Sequence, residues 1–234
     1  MMMRHEAMLK VAMHLQNMLE VNYGVESLIV GGFPRDIGMG KPELVNDVDM
    51  VIHRDESLIA IAEDVLEDIA KLFSLRPWIS EVGYELFLEY GDDFASEQTG
   101  SFIDENPDTE MDSDFKERIV LVMRLMIVTT GELGDHDFNI DILMSTMDKS
   151  EELYSFLDTF DFSINRWVIG PLGNIPVFSA GNGEYDYKKV TRIPGFTCRS
   201  RMAYRIGHLR KKYPELDWSN CTKTFDEFSK GGAA

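Results

Sequence analysis

Apolar residues recur every three or four positions in some stretches and alternate with polar residues in others, which predicts a series of helices and strands. Helices are predicted up to Tyr23–Gly24, for a short distance from Pro34, and over 57–73, 151–157 and 199–213. Strands are predicted over 27–30, 45–52, 84–90, 118–130 and 137–144. The pattern indicates an α/β head over residues 1–155 and a mostly helical remainder over residues 156–234.

The last two predicted strands are joined by the segment GELGDH, which favours a hairpin. In the second of these strands, alternate side chains are expected to face the core: Phe138, Ile140, Ile142 and Met144. Asn139 and Asp141 are then expected on the opposite face.

The charge is distributed unevenly along the 234 residues, whose formal net charge is −18. Residues 92–115 carry nine acidic and no basic side chains, and residues 188–212 carry nine basic and no acidic ones. The acidic stretch is predicted to be a surface loop over 91–116, with an autoinhibitory phosphate mimic as the alternative. Outside the basic segment the chain carries −27, which argues against a protein that coats nucleic acid non-specifically.

The chain contains two cysteines, Cys198 and Cys221, and their spacing matches no metal site. So few cysteines suggest a reducing compartment, although one disulfide is compatible with the sequence. No segment resembles a signal peptide or is apolar enough to span a bilayer. We therefore expect a soluble, cytoplasmic protein without a membrane partner.

Two carboxylates lie two residues apart in the predicted strand 45–52. Asp47 and Asp49 therefore project from the same face, where they repel each other unless a cation lies between them. Oxygen ligands of this kind suit Mg²⁺, and Asp141, which interrupts an apolar strand, is the candidate third ligand. A D-x-D pair alone is more often a solvated strand end.

The pair Gly31–Gly32 follows the first predicted strand and precedes a short helix. Glycines at such a turn let backbone amides approach a phosphate closely, and a helix N-terminus favours anions. A simple tight turn is the alternative interpretation. The glycine pair and the D-x-D pair within 20 residues of each other are more specific than either alone.

Four motifs in this chain resemble those of class II tRNA nucleotidyltransferases (CCA-adding enzymes) and bacterial poly(A) polymerases, in the DNA polymerase β nucleotidyltransferase superfamily. The first is Gly31-Gly32-x-x-Arg35-Asp36 with Gly40-Lys41 and Asp47-x-Asp49. The others are DFSIN at 161–165, similar to D-F-T-[IV]-N, then DYKKVTR at 186–192, and RSRMAYRI at 199–206, similar to the start of the neck helix. They occur in the family's order and span most of the chain.

The resemblance implies a nucleotidyltransferase palm, with a mixed or antiparallel sheet flanked by helices, followed by a short helical neck-like region. It implies transfer of an NMP from an NTP (ATP or CTP) to an acceptor hydroxyl, with pyrophosphate released and two Mg²⁺ ions held by Asp47, Asp49 and Asp141. The nucleotide-binding residues that it implies are Gly31, Gly32, Arg35, Asp36, Lys41, Asp161, Asn165, Arg199 and Arg205. Arg35 is expected to neutralise phosphate charge or brace the site, and Asp36 to cap or pair locally.

The chain also departs from the family pattern. Only Arg199 of the templating motif E-D-x-x-R is kept, Thr159–Phe160 replaces a pair of arginines, and Met202 stands where a neck arginine is usual. Too few residues follow Lys212 to form the family's tRNA-binding body and tail.

The acceptor therefore has three interpretations. An RNA (tRNA-like) 3′ end gripped locally by residues 188–212 is the first, and a protein or small molecule, as in toxin-like or antibiotic-modifying enzymes, is the second. The third is a non-catalytic nucleotide-binding regulatory protein with this fold, which the presence of all three carboxylates disfavours. The sequence indicates no oligomeric state.

Overall fold

The fold is taken from a computed structural model that describes residues 2–88, 118–171, 173–181, 183–193 and 199–221. In the last of these ranges, side chains are described from Arg205 onwards. The predicted acidic loop and Cys198 lie outside the described residues. Cys221 is a buried free thiol.

Helices and strands are interspersed through the first half of the chain. The helices are α1 (Arg4–Tyr23), α2 (Gly32–Gly38), α3 (Glu56–Ile59), α4 (Ala62–Ser74) and α5 (Arg199–Lys212). The strands are β1 (Ser27–Val30), β2 (Val48–Ile52), β3 (Ile79–Leu88), β4 (Ile119–Thr129), β5 (His136–Ser145), β6 (Trp167–Val168) and β7 (Val177–Phe178). Short 3₁₀ helices connect several of them.

Five strands form one mixed sheet in the order β1-β2-β5-β4-β3. Strands β2 and β5 are parallel, and the other neighbouring pairs are antiparallel. The hairpin predicted from GELGDH is the β4–β5 pair. Strands β6 and β7 form a small antiparallel hairpin, joined to β1 by a bridge between Ile29 and Ile169. The predicted fold class is confirmed.

Each face of the sheet packs against its own core. The amphipathic stripes of α1 and α4 cover one face, together with the inward side chains of β5 that the alternation predicts: Phe138, Ile140, Ile142 and Met144. The other face is covered in part by Leu153, Phe156 and Leu157 from the segment after β5. A third apolar cluster surrounds Tyr213 at the end of α5.

Most element boundaries agree with the predictions, but two differ near the candidate site. Helix α2 begins at Gly32, two residues before Pro34, so it starts directly at the glycine pair. Strand β2 begins at Val48, which leaves Asp47 just before the strand.

The predicted helix 57–73 is divided into α3 and α4. The Asp55 side chain caps α3 by accepting from the amides of Ser57 and Leu58. Helix α4 starts anew at Ala62, with Glu63 and Asp64 in a first turn that favours negative charge.

The segment predicted as a helix over 151–157 is a 3₁₀ helix over Leu153–Thr159. Strand β3 starts five residues earlier than predicted, at Ile79. The division of the chain at residue 155 stays a prediction. None of the helices in the described part of the chain is long and apolar enough to cross a membrane.

The contact between α2 and β6 generates a stability prediction. A Cβ atom on Gly38 would lie 2.3 Å from Cε3 of the buried Trp167 ring. We expect Gly38→Ala to lower the free energy of unfolding by about 1–3 kcal/mol, because the ring would have to shift from its contacts with Phe178 and Tyr187. Urea denaturation measures the change.

The matched control is Gly207→Ala in the interior of α5, where an added Cβ meets nothing within 4 Å. This variant is expected to gain up to about 1 kcal/mol from helix propensity. Equal effects of the two substitutions would contradict the packing of α2 against Trp167.

Candidate active site

The parallel pairing of β2 with β5 brings two of the predicted carboxylates together. Asp49 of β2 is the register partner of Asp141 of β5, so their side chains leave the same face of the sheet on adjacent strands. Asp47 precedes Asp49 by two residues, and its charge is close enough to raise the pKa of Asp49. These three carboxylates are called the carboxylate cluster below. Asp49 and Asp141 share the sheet face of Val51 and Leu143, which belong to the second apolar core.

Gly31 lies directly against this cluster. It has a positive φ of 77°, a conformation that glycine adopts readily, and it caps the N-terminus of α2. A Cβ at this position would lie 2.6 Å from Oδ2 of Asp49. Any larger residue would therefore both strain the turn and collide with the carboxylate. The next residue, Gly32, begins the helix.

Burial and mutual repulsion disfavour the state in which all carboxylates of the cluster are ionised. Burial, followed by the negative charges of Asp47 and Asp141, raises the pKa of Asp49 well above its ordinary value. Desolvation also raises the pKa of Asp47, although that side chain stays partly open to solvent. No ion pair reaches Asp47 or Asp49 from another side chain in the part of the chain that the structure describes.

The donor set of Asp47 and Asp49 fits a divalent cation. Carboxylate oxygens suit Mg²⁺, which proteins hold through one or two carboxylates together with substrate phosphates. The space beside Asp49 Oδ2 that the glycine turn keeps clear is a second feature in favour. Within the described residues, no three His, Cys, Asp or Glu side chains are placed to chelate a metal together. The fit is therefore with a site that a bound phosphate completes.

Arg124 on β4 is a cluster neighbour that the sequence interpretation did not include. Its Nε donates to Oδ1 of Asp141 at 2.7 Å and its Nη2 donates to Oδ2 at 3.1 Å. Desolvation raises the pKa of Asp141, while the Arg124 guanidinium opposes this rise. The available signal was that Arg124 is the one charged residue in the apolar strand Ile119–Thr129, just as Asp141 interrupts β5.

Three further predicted residues, Arg35, Asp36 and Asn165, form a hydrogen-bonded network with Tyr213 and Lys212, called the brace below. Arg35 donates from Nε to Asp36 Oδ1 at 2.8 Å and from Nη1 to Asn165 Oδ1 at 2.7 Å. Its Nε also lies 3.1 Å from Tyr213 Oη, and this hydroxyl donates to Asp36 Oδ1. Lys212 Nζ donates to Asp36 Oδ2 at 2.6 Å. The brace ties α2 to the C-terminal end of α5.

The DFSIN segment extends the brace. Asn165 Nδ2 donates to Asp161 Oδ1 at 2.8 Å, and Arg205 of α5 pairs with Asp161 Oδ2 at 2.6 Å. Asp161 and Asn165 are each only 2% exposed. Their polar groups thus bind other parts of the protein, and their predicted role at the nucleotide stays a prediction.

The remaining predicted residues lie at the edges of these groups. A Cβ on Gly32 would be 3.5 Å from Arg35 Nη2, so the glycine pair lies between the cluster and the brace. Lys41 Nζ points to the end of α5, where it donates to Lys212 O at 2.7 Å and pairs with Glu215 at 2.8 Å. Arg199 begins α5, and its side chain is not among those described.

The basic segment 188–212 is partly neutralised by these contacts. Arg205 pairs with Asp161 and Lys212 pairs with Asp36. Lys188 and Lys189 are exposed before α5, and Arg210 and Lys211 are exposed near its end. Among the described side chains of this segment, at least two cations are therefore engaged by carboxylates of the protein.

Comparisons with known proteins support the fold and no more specific assignment. No protein-family model and no curated protein matches the chain. Solved structures of CCA-adding enzymes do match it. A complex with CTP gives a TM-score of 0.52 at 14% identity and covers 96% of this chain. A second apo form also gives 0.52 at 14% identity and 96% coverage, and a first apo form gives 0.50 at 13% identity and 95% coverage.

This chain spans 42–44% of the length of those three structures. At such low identity the similarity shows a nucleotidyltransferase-like fold. The predicted resemblance is thus confirmed at the level of the fold.

The raised pKa of Asp49 predicts how stability depends on pH in the absence of metal. Between the ordinary pKa and the raised one, the carboxylate is protonated in the folded state and ionised in the unfolded state, so stability falls as pH rises. Asp49→Asn removes this loss. Its stability advantage in EDTA is expected to grow by up to about 1.4 kcal/mol per pH unit above about pH 4.

Urea denaturation at several pH values measures this advantage. Asp55→Asn is the control with the opposite sign, because hydrogen bonds from Lys149 and Ser57 lower the pKa of Asp55 to about 2. Its substitution should cost stability near neutral pH, and that cost should disappear as pH falls through the acid range. An advantage of Asp49→Asn that is constant with pH would contradict the clustering of charges.

The brace predicts a stability effect of the Tyr213 hydroxyl. Tyr213 is fully buried, and its hydroxyl bonds to both Arg35 and Asp36. Tyr213→Phe is expected to lower the free energy of unfolding by about 1–3 kcal/mol. Tyr187→Phe, at a side chain that is 38% exposed, is the control and should change stability little. Equal unfolding midpoints for wild type and Tyr213→Phe would argue against the brace.

Proposed function

We propose that this protein is a Mg²⁺-dependent nucleotidyltransferase that moves an NMP from an NTP to an acceptor hydroxyl. The observation that carries the proposal is the carboxylate cluster lying against Gly31 at the start of α2. The similarity of the fold to CCA-adding enzymes, one of them in complex with CTP, supports the same reaction class. The NTP is ATP or CTP.

In the proposed reaction the acceptor hydroxyl attacks the α-phosphorus, the bond to the bridging oxygen breaks, and pyrophosphate leaves. Asp47 and Asp49 would hold Mg²⁺. When bound, the metal neutralises phosphate charge and stabilises the entering and leaving oxygens. Two ions are proposed, as the resemblance implies, with the phosphates of the substrate providing further ligands.

The glycine turn and the brace have separate roles in the proposal. Gly31 and Gly32 accommodate the triphosphate, since they present backbone without a side chain beside Asp49. Arg35 acts as a brace residue, because burial and bonds to Asp36 and Asn165 hold its guanidinium in place. Its positive charge also lowers the pKa of Asp49, opposing the effect of burial, so it contributes to the electrostatics of the site.

An RNA 3′ end is the first acceptor class that we propose, gripped by the exposed cations of residues 188–212. A protein or small-molecule acceptor is the second, and a specific observation favours it. Arg205 and Lys212 are paired with buried carboxylates, so they are not available to bind a phosphate backbone without breaking the brace.

The test is a transfer assay with each α-³²P-labelled NTP, Mg²⁺ and three acceptor pools: total RNA, cell protein and small hydroxyl compounds. Wild type should label one pool. Asp47→Asn and Asp49→Asn should each reduce the label by about 100-fold or more, since the metal contributes several kcal/mol to the transition state. The labelled pool identifies the acceptor class.

Asp137→Asn is the matched control, because Asp137 is an exposed carboxylate on the same strand as Asp141. It should transfer label at the wild-type rate. Absence of transfer to all three pools, together with absence of NTP binding by equilibrium dialysis, would refute the proposed enzyme. Binding of NTP without transfer would instead support a non-catalytic nucleotide-binding protein.

A further inference from the structure

A row of charged side chains crosses the sheet at the candidate site. Asp49, Asp141, Arg124 and Glu85 are successive register partners on β2, β5, β4 and β3. The single positive charge in this row lies between two negative ones. Arg124 is paired with Asp141, the residue that the sequence predicts as the third metal ligand.

The contact between Arg124 and Asp141 is a two-point fork. Two parallel N–H···O bonds engage both carboxylate oxygens, a geometry that matches guanidinium to carboxylate. Arg124 is 7% exposed and Asp141 is 2% exposed. The guanidinium carbon also lies 5.3 Å from the centroid of the Phe87 ring, which holds it from another side. Separating the pair would leave a buried charge without its partner, so the fork is expected to persist.

The fork changes what Asp141 can offer to a cation. Its negative charge is compensated by the guanidinium, and a metal approaching Asp141 would also approach that positive charge. Asp47 and Asp49 differ, because no ion pair reaches them within the described residues. The three carboxylates therefore differ in how readily they can bind a cation, and Asp141 is the least available.

We propose that Asp141 binds Arg124 and not the metal, so that Asp47 and Asp49 alone provide the protein's carboxylate ligands. Arg124 acts as a positioning residue that keeps the third carboxylate out of the metal's coordination sphere and limits the metal affinity. This inference rests on the proposed function, which requires a divalent cation at the cluster.

Mn²⁺ binding to the whole chain tests the proposal without measuring activity. Electron paramagnetic resonance detects free Mn²⁺, and the titration gives a Kd for each variant. Asp49→Asn should weaken binding by at least ~10-fold. The double variant Arg124→Gln/Asp141→Asn removes the pair as a neutral unit, and its Kd should stay within ~3-fold of wild type. Arg124→Gln alone frees a carboxylate and should tighten binding by about 10-fold.

A measurement on the wild-type chain keeps the test valid if a variant does not fold. Nitrogen-15 NMR of arginine side chains follows the Arg124 Nε–H, assigned by its disappearance in Arg124→Lys. We expect this hydrogen-bonded signal to persist when Mg²⁺ is added. Loss of the signal on addition of Mg²⁺ would show Asp141 leaving Arg124 for the metal and would overturn the proposal.

Two further outcomes separate this inference from the proposed function. The first outcome is that wild type transfers NMP but the double variant binds Mn²⁺ as weakly as Asp49→Asn does. This result would overturn the inference and leave the proposed function standing. Wild type that binds no Mn²⁺ and transfers no NMP would overturn both.

Discussion

The parallel pairing of β2 with β5 is the constraint on which the site depends. It places Asp49 beside Asp141 on one face of the sheet, although the two residues are far apart in the chain. Strand β1 pairs with β2 on the other side, so the turn at Gly31 ends next to Asp49. A shift of one residue in this register would turn every side chain of the strand to the opposite face. The strong apolar packing on that opposite face therefore holds the carboxylates in place.

The carboxylate cluster brings like charges together, and their mutual repulsion is unfavourable in the folded protein. Three carboxylates meet where burial already penalises charge, which raises the pKa of Asp49. Asp141 forms an ion pair with Arg124, whereas no ion pair reaches the other two carboxylates among the residues that the structure describes. In the proposed function, a cation bound at this cluster would reduce the repulsion between the carboxylates.

The brace connects this site to the C-terminal helix. Arg35, three residues after Gly32 in the same short helix, bonds to Tyr213 and Asn165, which lie 178 and 130 residues away in the chain. Arg35, Asp36, Asn165 and Tyr213 are buried, Lys212 is partly buried, and these residues satisfy hydrogen bonds of one another. Residues that the family resemblance associates with nucleotide binding thus also fix the position of α2, and with it the glycine turn.

Much of the fold could be predicted because helices and strands follow from local patterns of apolar and polar residues. The alternation in β5 identified both its core residues and the exceptional position of Asp141, and the glycine at 24 marked the end of α1. The division of the helix after Ile59 was missed, because the apolar stripe continues across the break. Periodicity reports the face that is buried and does not report such an interruption.

The sequence by itself determined which functional groups are present: a glycine pair, a D-x-D pair and a lone carboxylate in an apolar strand. Only the tertiary structure decided which residues these groups contact. The fork of Arg124 with Asp141 depends on the register between two strands, and the link from Arg35 to Tyr213 depends on where α5 packs. Neither contact leaves a local periodic signal, because each partner is chosen by long-range packing, which a single sequence does not reveal.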